Sequence, residues 1–272
     1  MNRKKRTLHF RSVAEVYDQV RGTDRPVVDY LGYFFSKYCP HSPPVLDLAT
    51  GTARYPIAIA HSFGIPFLCV DENASMLAVG RSKAEQLRVP LTFVKSDCLR
   101  LDGILDPYRP FSFVTMFNAL HHFSDIPSIA YAIRHQLHPA SGRCYFYTRV
   151  GDDNVRTIWG HYFPEFVERE RHYLGKSSFS LSCLTSALHK GGLIVQECIP
   201  FEVYEKHTLD ELLRKVRSYH FSTFRAYAPD ELEKAIAVFS NRIRCAFPET
   251  RNDPTYRITH PSPMTLVVGI PG

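Results

Sequence analysis

Between Val45 and Val150, short apolar runs alternate with longer amphipathic stretches, and this alternation limits the possible folds more than any other feature of the chain. The pattern predicts strands at residues 45–49, 67–71, 91–95, 111–117 and 143–150, with helices between most of them. Strands and helices that alternate at this spacing form βαβ units, whose parallel sheet is covered by helices on both faces. Because such crossovers are right-handed, we expect an α/β, doubly wound, Rossmann-like fold.

The rest of the chain adds two strands and a group of helices. Apolar runs predict a sixth strand within residues 193–205 and a last strand at 264–270, which brings the sheet to seven strands. Helices are predicted at 155–173, at 180–190 and, as a pair, within 208–246. The regular alternation therefore ends near residue 150, and a helical segment interrupts it before the last strands.

Length and composition fit a globular protein with an elaborated core. The chain has 272 residues, 44% hydrophobic and 22% charged, and is long enough to bury a full core. We divide it into a basic tail with N-terminal helices (1–40), a core (41–150), and the remaining strands with a helical, aromatic cap (151–272). No internal repeat or low-complexity stretch is present.

Charge, cysteine and hydropathy patterns favour a cytoplasmic protein. The formal net charge is +6, and the run Arg3–Arg6 is entirely basic. Such a tail is usually a solvated chain end, so we expect no nucleic-acid partner. The seven cysteines include no CxxC pair, which argues against a disulfide framework or a zinc site. We see no signal core and no apolar run of 18 residues, and therefore expect no membrane span.

The segment VLDLATGTARYPIAIA (residues 45–60) joins the first strand of the alternation to a helix through a turn of small residues. Doubly wound sheets bind ligands beyond the carboxyl ends of their strands, where helix N-termini offer free N–H groups. A dinucleotide pattern, G-x-G-x-x-G, would place Arg54 at its third glycine, where a large side chain blocks close packing. A nucleoside triphosphate loop is excluded because no Gly-Lys-Ser/Thr triplet occurs.

A third nucleotide pattern fits this turn. The pattern acidic-x-G-x-G-x-G aligns with Asp47, Ala49, Gly51 and Ala53, so each glycine is kept or replaced by the next smallest residue. Gly51, the middle position, still allows close approach of the backbone to a ligand. The turn alone is a weak signal, because short apolar strands followed by glycine turns are common.

Polar residues at three further strand ends strengthen this interpretation. Asp71 ends the second strand, where a carboxylate can accept both ribose hydroxyls. Asp97 follows the third strand and is placed to accept a hydrogen bond from the exocyclic amine of adenine. Asn118 follows the fourth strand. Taken singly, these residues would more often be loop caps. Together with the small-residue turn they indicate a nucleoside site at one edge of the sheet.

These segments together resemble a class I S-adenosylmethionine-dependent methyltransferase. The resemblance is carried by VLDLATGTARYPIAIA, FLCVDENASMLAVGRSKA, FVKSDCLRLD, FSFVTMFNALHHFSD and LHPASGRCYFYTRV, in the order of the family and over roughly residues 10–150. The opening VAEVYDQVR resembles the lid helix of the small-molecule branch, which includes quinone C-methyltransferases and trans-aconitate methyltransferases. The family's fold implies that the last strand of the sheet is antiparallel.

The resemblance implies S-adenosyl-L-methionine as cofactor and assigns residues to it. The turn would pack against the methionine part, Asp71 would bind the ribose with Glu72 and Met76 beside it, and Asp97 would meet the adenine. The lid would close through Tyr17 and Arg21. The implied cofactor residues are Tyr17, Arg21, Asp47, Ala49, Thr50, Gly51, Asp71, Glu72, Met76, Asp97, Cys98 and Asn118.

Two departures from the family pattern bear on function. Ala49 and Ala53 replace two glycines of the turn. After Asn118 the chain continues Ala-Leu instead of the Pro-Pro-aromatic motif with which amino-methyltransferases hold a planar nitrogen. The absence of that motif argues against a nucleic-acid base as methyl acceptor and favours a small organic one.

Candidate catalytic residues lie near the expected acceptor position. His121 and His122 follow the fourth strand and are candidate general bases, although tandem histidines also serve as caps and packing residues. Tyr147, Arg149 and Tyr162 lie at or beyond the fifth strand, and Arg149 could pair with a substrate carboxylate. A solvated arginine is the common alternative.

An aromatic-rich region follows the core. Residues from Trp159 to Tyr173 and the segment VRSYHFSTFRAY (216–227) supply many aromatic side chains, which could enclose a small acceptor or form a helical hydrophobic core. The chain has 13 histidines but no HExxH motif, and we expect no metal site. The oligomeric state is left open.

Four functions follow from these observations. Methyl transfer to a small molecule is the leading hypothesis. The second is cyclisation or elimination of the cofactor itself, which would release methylthioadenosine. The third is a noncatalytic binding protein with a vestigial site, suggested by Ala49 and Ala53. A nucleic-acid methyltransferase is the fourth and rests only on the basic tail.

Overall fold

The computed structural model describes residues 22–38, 44–101, 103–174 and 180–272. Within these residues the chain has nine strands: β1 Val45–Leu48, β2 Phe67–Asp71, β3 Leu91–Lys95, β4 Phe113–Phe117, β5 Arg143–Thr148, β6 Leu193–Phe201, β7 Tyr204–His207, β8 Ile258–Pro261 and β9 Met264–Pro271. The helices are α1 Arg25–Tyr38, α2 Arg54–Phe63, α3 Ala74–Leu87, α4 Ile126–Gln136, α5 Gly151–Asn154, α6 Ile158–Tyr162, α7 Phe166–Leu174, α8 Leu181–Lys190, α9 Leu209–Arg217 and α10 Pro229–Ala246.

Seven strands form one mixed sheet in the order β3-β2-β1-β4-β5-β9-β6, with the last strand of the chain antiparallel. The predicted doubly wound, Rossmann-like sheet of seven strands is therefore confirmed. Its central strands are almost entirely buried and predominantly apolar, as expected for strands covered by helices on both faces. The other two strands, β7 and β8, pair with each other as an antiparallel ribbon.

The strand order changes direction at β1, and this position builds the ligand-binding edge. β1 pairs in parallel with β2 on one side and with β4 on the other, so that Asp47 lies opposite both Cys69 and Thr115. Connections leave β1 and β4 on opposite sides, which opens a crevice at the carboxyl ends of these strands. Residues directly after β1, β2 and β4 consequently share one edge.

The local sequences of α1 and α3 explain how these two helices pack or begin. Along α1, the residues Val27, Val28, Leu31 and Phe35 recur at helical spacing and are buried. The side chain of Asn73 caps α3 by accepting the N–H groups of Ser75 and Met76, at 2.9 and 3.2 Å. Local sequence thus fixes both the buried face of α1 and the start of α3.

The chain folds as two compact units. The first holds the described residues up to 148 together with 185–199 and 266–272, and the second holds 149–184 and 200–265. The cap predicted at 151–272 remains a prediction, since it rests on a substrate role. No helix among the described residues combines the length and the hydropathy that crossing a bilayer would require.

The second unit has an aromatic core. The rings of Trp159 and Phe239 stack with centroids 5.5 Å apart, and Phe163 lies 5.1 Å from Phe224. All four side chains are 4% exposed or less. Of the two interpretations of this aromatic region, the structure supports the hydrophobic core for these residues, because buried rings cannot line an acceptor site.

Two sequence predictions in the later part of the chain were wrong, and one strand was missed. The single helix expected at 155–173 is divided between α6 and α7. Thr157 begins α6 by accepting the N–H of Gly160, and Glu165 has a left-handed backbone (φ 56°) that separates α6 from α7. The sixth strand ends at Phe201, not near 205, and β8 was not predicted, because its pairing partner β7 lies some fifty residues away.

Candidate active site

Alternate residues of the turn after β1 have a left-handed backbone. The φ angles are 53° at Ala49, 58° at Gly51 and 55° at Ala53. Glycine is the residue that adopts this region without strain, and alanine, with only a Cβ, is the least costly substitute after the polar αL formers. The three positions aligned with glycines in the sequence therefore have the backbone that glycines would serve.

The turn is fixed by the ends of β1 and β2. Thr50 N donates to Val70 O at 3.0 Å, and Gly51 N donates to Asp71 Oδ2 at 2.8 Å. Asp71 Oδ1 accepts the N–H of Asn73 at 2.8 Å. Each oxygen of the Asp71 carboxylate therefore holds one backbone N–H, and because a carboxylate has about four acceptor positions, it retains capacity for ligand hydroxyls.

Helix α3 approaches the turn closely at a glycine. A Cβ placed on Gly80 would lie 3.0 Å from the carbonyl oxygen of Thr52 and 3.0 Å from the Phe93 ring. Only a residue without a side chain lets the helix pack against the turn at this distance. Gly80 was not singled out in the sequence, because a lone glycine inside a helical pattern gives no sign of what it contacts.

Asp47 is a buried carboxylate at the floor of the site. It is 1% exposed, and its Oδ1 accepts the hydroxyl of Thr115 at 2.7 Å. Burial raises the pKa of Asp47 to about 7, and the hydrogen bond from the Thr115 hydroxyl opposes part of this rise. Among the described residues, no hydrogen-bond partner reaches the buried atoms Asp47 Oδ2 and Thr50 Oγ1. Since such atoms are costly to bury, they mark a place for a ligand donor.

A cleft at this edge contains the predicted cofactor residues. Its volume is about 960 Å³, including the part open to solvent. Its lining includes every predicted cofactor residue that the structure describes: Asp47, Ala49, Thr50, Gly51, Asp71, Glu72, Met76, Asp97, Cys98 and Asn118. The predicted lid residues Tyr17 and Arg21 lie outside the described residues.

The polar residues at the other strand ends are held in place locally. Asp97 Oδ1 accepts the N–H of Leu99 at 3.0 Å, so the carboxylate is oriented by its own turn. Burial raises the pKa of the neighbouring Cys98 thiol to about 12, which keeps it protonated. Asn118 has a left-handed backbone (φ 51°), and its N–H donates to Tyr147 O at 2.7 Å.

The two candidate histidines differ in position. His122 lines the cleft, whereas His121 is exposed and its ring centroid lies 3.9 Å from that of His122. Both belong to a short 3-10 helix, Leu120–His122, that follows β4 directly. The geometry therefore favours His122 over His121 as a residue that reaches a ligand.

Tyr147 does not line the cleft. It lies within β5, is completely buried, and donates its hydroxyl to Asp24 Oδ2 at 2.8 Å. The same oxygen accepts the hydroxyl of Tyr55 at 2.7 Å. The buried hydroxyl ties the start of α1 to α2 and β5, and the catalytic role of Tyr147 remains a prediction from the sequence.

Arg149 and Tyr162 belong to the second unit and are likewise absent from the lining of the cleft. Arg149 donates to Ser262 Oγ at 2.5 Å and to Pro263 O at 3.3 Å. The Tyr162 ring packs against Phe247 with centroids 6.0 Å apart. Both side chains are thus engaged within their own unit, and their predicted catalytic roles rest on the sequence alone.

Aromatic residues of the cleft were missed in the sequence. The rings of Tyr55 and Phe117 stack at 4.5 Å with an interplanar angle of 9°, and both residues line the cleft together with Phe123. Tyr55 follows the predicted turn, and Phe117 directly precedes the predicted residue Asn118. Their adjacency was the available signal, but an aromatic residue at a strand or helix end is usually a core residue.

Comparisons with known proteins agree with this geometry. Residues 45–140 match the family model described as "Methyltransferase domain". The YcgJ protein of Bacillus subtilis is 19% identical, with 91% of this chain and 99% of that one covered and a TM-score of 0.57. An S-adenosylmethionine-dependent methyltransferase of Geobacter sulfurreducens, solved with S-adenosylhomocysteine, is 15% identical, with 97% and 98% covered and a TM-score of 0.54.

A third solved structure has the same fold and a different reaction. The [4+2]-cyclase SpnF is 15% identical, with 89% of this chain and 80% of that one covered and a TM-score of 0.50. No curated protein matches the chain. At these identities the structural comparisons establish the fold, and the family model identifies the part of the chain that builds the cleft. Residues 45–140, which build the cleft, therefore match a methyltransferase domain, and the cofactor that this match implies is S-adenosylmethionine.

Proposed function

We propose that this protein transfers the methyl group of S-adenosylmethionine to a small organic acceptor. One observation carries the proposal. At the strand edge where β1, β2 and β4 end, the acid Asp47, the left-handed small-residue turn and the two acids Asp71 and Asp97 line a single cleft. If these residues had only structural roles, they would not all need to line the same cavity.

The residues of the cleft suit the cofactor. The Asp71 carboxylate retains acceptor positions for a ribose diol, and the half-buried Asp97 is placed for an adenine amine. The unsatisfied oxygens of Asp47 and Thr50 suit the ammonium group at the methionine end. A cation there would also stabilise the ionised form of Asp47, which burial disfavours.

Catalysis by this chain would rest on alignment and proton removal. The bound cofactor supplies an activated methyl group on a positively charged sulfur, so the protein mainly has to hold an acceptor in line with it. The stacked rings of Tyr55 and Phe117 form an apolar wall of the cleft that excludes water. His122 is the candidate base for an acceptor that still carries its proton, since its imidazole lines the cleft.

The elaboration of the core supports the proposal of a small acceptor. Two segments, 149–184 and 200–265, build a separate compact unit that cofactor binding alone does not need. We propose that this unit, the predicted cap, serves acceptor selection, with a small organic molecule as the acceptor. The narrower resemblance to quinone and trans-aconitate methyltransferases rests on VAEVYDQVR, which lies outside the described residues.

A second candidate function uses the same cofactor differently. Two glycines of the turn are alanines, and the fold is shared with a [4+2]-cyclase, so a reaction other than methyl transfer has specific support. The candidate is cyclisation or elimination within the cofactor, which releases methylthioadenosine. Mass spectrometry of the nucleoside product separates the two functions, because methyl transfer yields S-adenosylhomocysteine.

Calorimetry with S-adenosylhomocysteine tests the cleft on which both functions depend. We expect binding by the wild type and a loss of about tenfold or more in Gly51→Val, since a β-branched residue at φ 58° carries about 1–3 kcal/mol of strain. Ala49→Gly should bind at least as well as the wild type, because glycine relieves the left-handed alanine.

Gly64→Val is the matched control for backbone strain. Gly64 has φ 70° at the other end of α2, and a Cβ there meets no atom within 4 Å. This variant should lose stability and keep its affinity for S-adenosylhomocysteine. Normal binding by Gly51→Val, or no binding by the wild type, would contradict the proposed function.

A further inference from the structure

The ribbon of β7 and β8 brings three potential metal ligands together in the second unit. Glu205 lies directly opposite His260 in the antiparallel register, and His207 is two residues further along β7. Residues two apart on a strand, and residues opposite each other on neighbouring strands, project from the same face. The carboxylate and both imidazoles therefore share one face of the ribbon.

The donor atoms of these side chains lie close to one another. His207 Nδ1 is 3.0 Å from His260 Nε2, and Glu205 Oε2 is 3.6 Å from His207 Nε2. One ligand atom from each of the three residues can be chosen so that all lie within 4.8 Å of one another. Donors of a tetrahedral zinc ion lie about 3.4 Å apart, because each is about 2.0–2.2 Å from the metal. His207 directs a different ring nitrogen to each of its two partners, so side-chain rotations must bring all three donors to this spacing.

A protein cation already occupies this position. The ammonium of Lys215 on α9 lies 2.6 Å from His207 Nε2 and 3.6 Å from Glu205 Oε2. An ammonium only donates, so His207 Nε2 accepts and carries no proton. The proton of the neutral His207 ring is then on Nδ1 and points to His260 Nε2. Both imidazoles are consequently neutral, which is the form that ligates metals.

Outer contacts orient the donors. Ser262 Oγ donates to Glu205 Oε1 at 2.8 Å and itself accepts from Arg149 at 2.5 Å. Glu205 Oε1 is thereby held, and Oε2 faces the imidazoles and Lys215. His260 is 4% exposed, whereas the Glu205 side chain is 41% exposed, so the cluster is open to solvent on one side. Contacts of this kind fix ligand orientation in metal sites.

We propose that Glu205, His207 and His260 bind a divalent transition-metal ion, with Zn²⁺ as the best match, and that the ion displaces the ammonium of Lys215. Two imidazoles and one carboxylate are a ligand set that zinc and ferrous iron use, whereas Mg²⁺ and Ca²⁺ prefer oxygen donors. Zinc needs no redox partner and tolerates distorted geometry. The exposed side of Glu205 leaves a position for water or an external ligand.

Sequence spacing does not reveal this site, which explains the earlier expectation of no metal. Glu205 and His207 lie two residues apart on β7, but His260 lies on a strand more than fifty residues later. Neither strand has a metal motif of its own. The site is independent of the cofactor cleft, whose lining residues all belong to the first unit.

The test is titration of the chelator-treated full-length protein with ZnCl₂, followed by calorimetry and native mass spectrometry. We expect one Zn²⁺ per chain at this site. His207→Gln and Glu205→Gln should each weaken it by more than about tenfold, the least that loss of a direct ligand produces. Lys215→Met should strengthen it, because the competing cation is removed. MgCl₂ should give no comparable binding.

Matched variants keep the proposal falsifiable. His189→Asn removes an exposed histidine on α8 and should leave zinc binding unchanged. Co²⁺ absorption distinguishes the site from surface thiols, since Cys183 and Cys245 are exposed and would give thiolate charge-transfer bands. Circular dichroism establishes that each variant is folded. Zinc binding that is unchanged in folded His207→Gln and Glu205→Gln, or absent in both the wild type and Lys215→Met, overturns the proposal.

Discussion

At the scale of single residues, the candidate site was predictable where a polar residue stands at the end of a strand or directly after it. Asp47, Asp71 and Asn118 stand at or just beyond strand ends, and parallel strands bring such positions to one edge. Residues that act through distant partners were not predictable. Tyr147 was predicted as catalytic, yet its hydroxyl is bonded to Asp24, more than a hundred residues away. A single sequence without pairing information does not contain that contact.

Asp47 makes the stability of the protein depend on pH. Its folded pKa of about 7 is above the ordinary value of 3.8, so the folded state binds the proton more tightly than the unfolded state. The stabilising contribution is fully present below about pH 4 and is lost as the pH rises through about 7. Asp47→Asn cannot ionise, so its stability relative to the wild type should increase by about 2–3 kcal/mol between pH 5 and pH 8.

Urea unfolding of both proteins at the two pH values measures this difference. Asp71→Asn is the control at the same edge, since Asp71 already accepts two backbone N–H groups and is only half-buried. If the free energy of unfolding depends on pH equally in the wild type and Asp47→Asn, ionisation of this carboxylate does not destabilise the folded state and the prediction is wrong. S-adenosylhomocysteine should reduce the difference at pH 8, because its ammonium compensates the buried charge.

At the scale of elements, periodicity located the strands of the alternating region to within about two residues, the usual uncertainty of element ends. It failed where an element depends on a partner. The ribbon of β7 and β8 exists because two short polar strands pair across fifty residues, and neither has an apolar run of its own. The close contact of α3 with the turn was equally hidden, because it depends on the absence of a side chain.

Gly80→Ala tests that contact. Alanine favours a helix over glycine by about 1 kcal/mol, but its Cβ would lie 3.0 Å from Thr52 O, and overpacking costs about 1–3 kcal/mol. The two effects partly cancel in stability, so affinity is the sharper measurement. We expect severalfold weaker binding of S-adenosylhomocysteine, because the turn must shift away from α3. Ser82→Ala on the exposed face of the same helix should bind normally.

At the scale of the whole molecule, composition predicted an aromatic second part but not its use. The presence of an aromatic residue in a sequence does not indicate whether its side chain lines a cavity or packs in a core. Burial distinguishes the two, and in this unit Phe224 and Phe239 are completely buried. The cofactor cleft, by contrast, draws all its lining from the first unit. Cofactor binding and the stability of the second unit should therefore be separable.

Phe239→Ala separates them. Removing this ring leaves a cavity beside Trp159 and Phe163, whose ring centroids lie 5.5 and 5.3 Å away, and such truncations cost about 3–5 kcal/mol. Hydrogen exchange should show faster opening of the second unit, while calorimetry should show unchanged affinity for S-adenosylhomocysteine. Val238→Ala, at the exposed neighbour, should change neither measurement. If Phe239→Ala weakens cofactor binding as strongly as Gly51→Val does, the cleft depends on the second unit, and an assignment of that unit to acceptor selection alone is wrong.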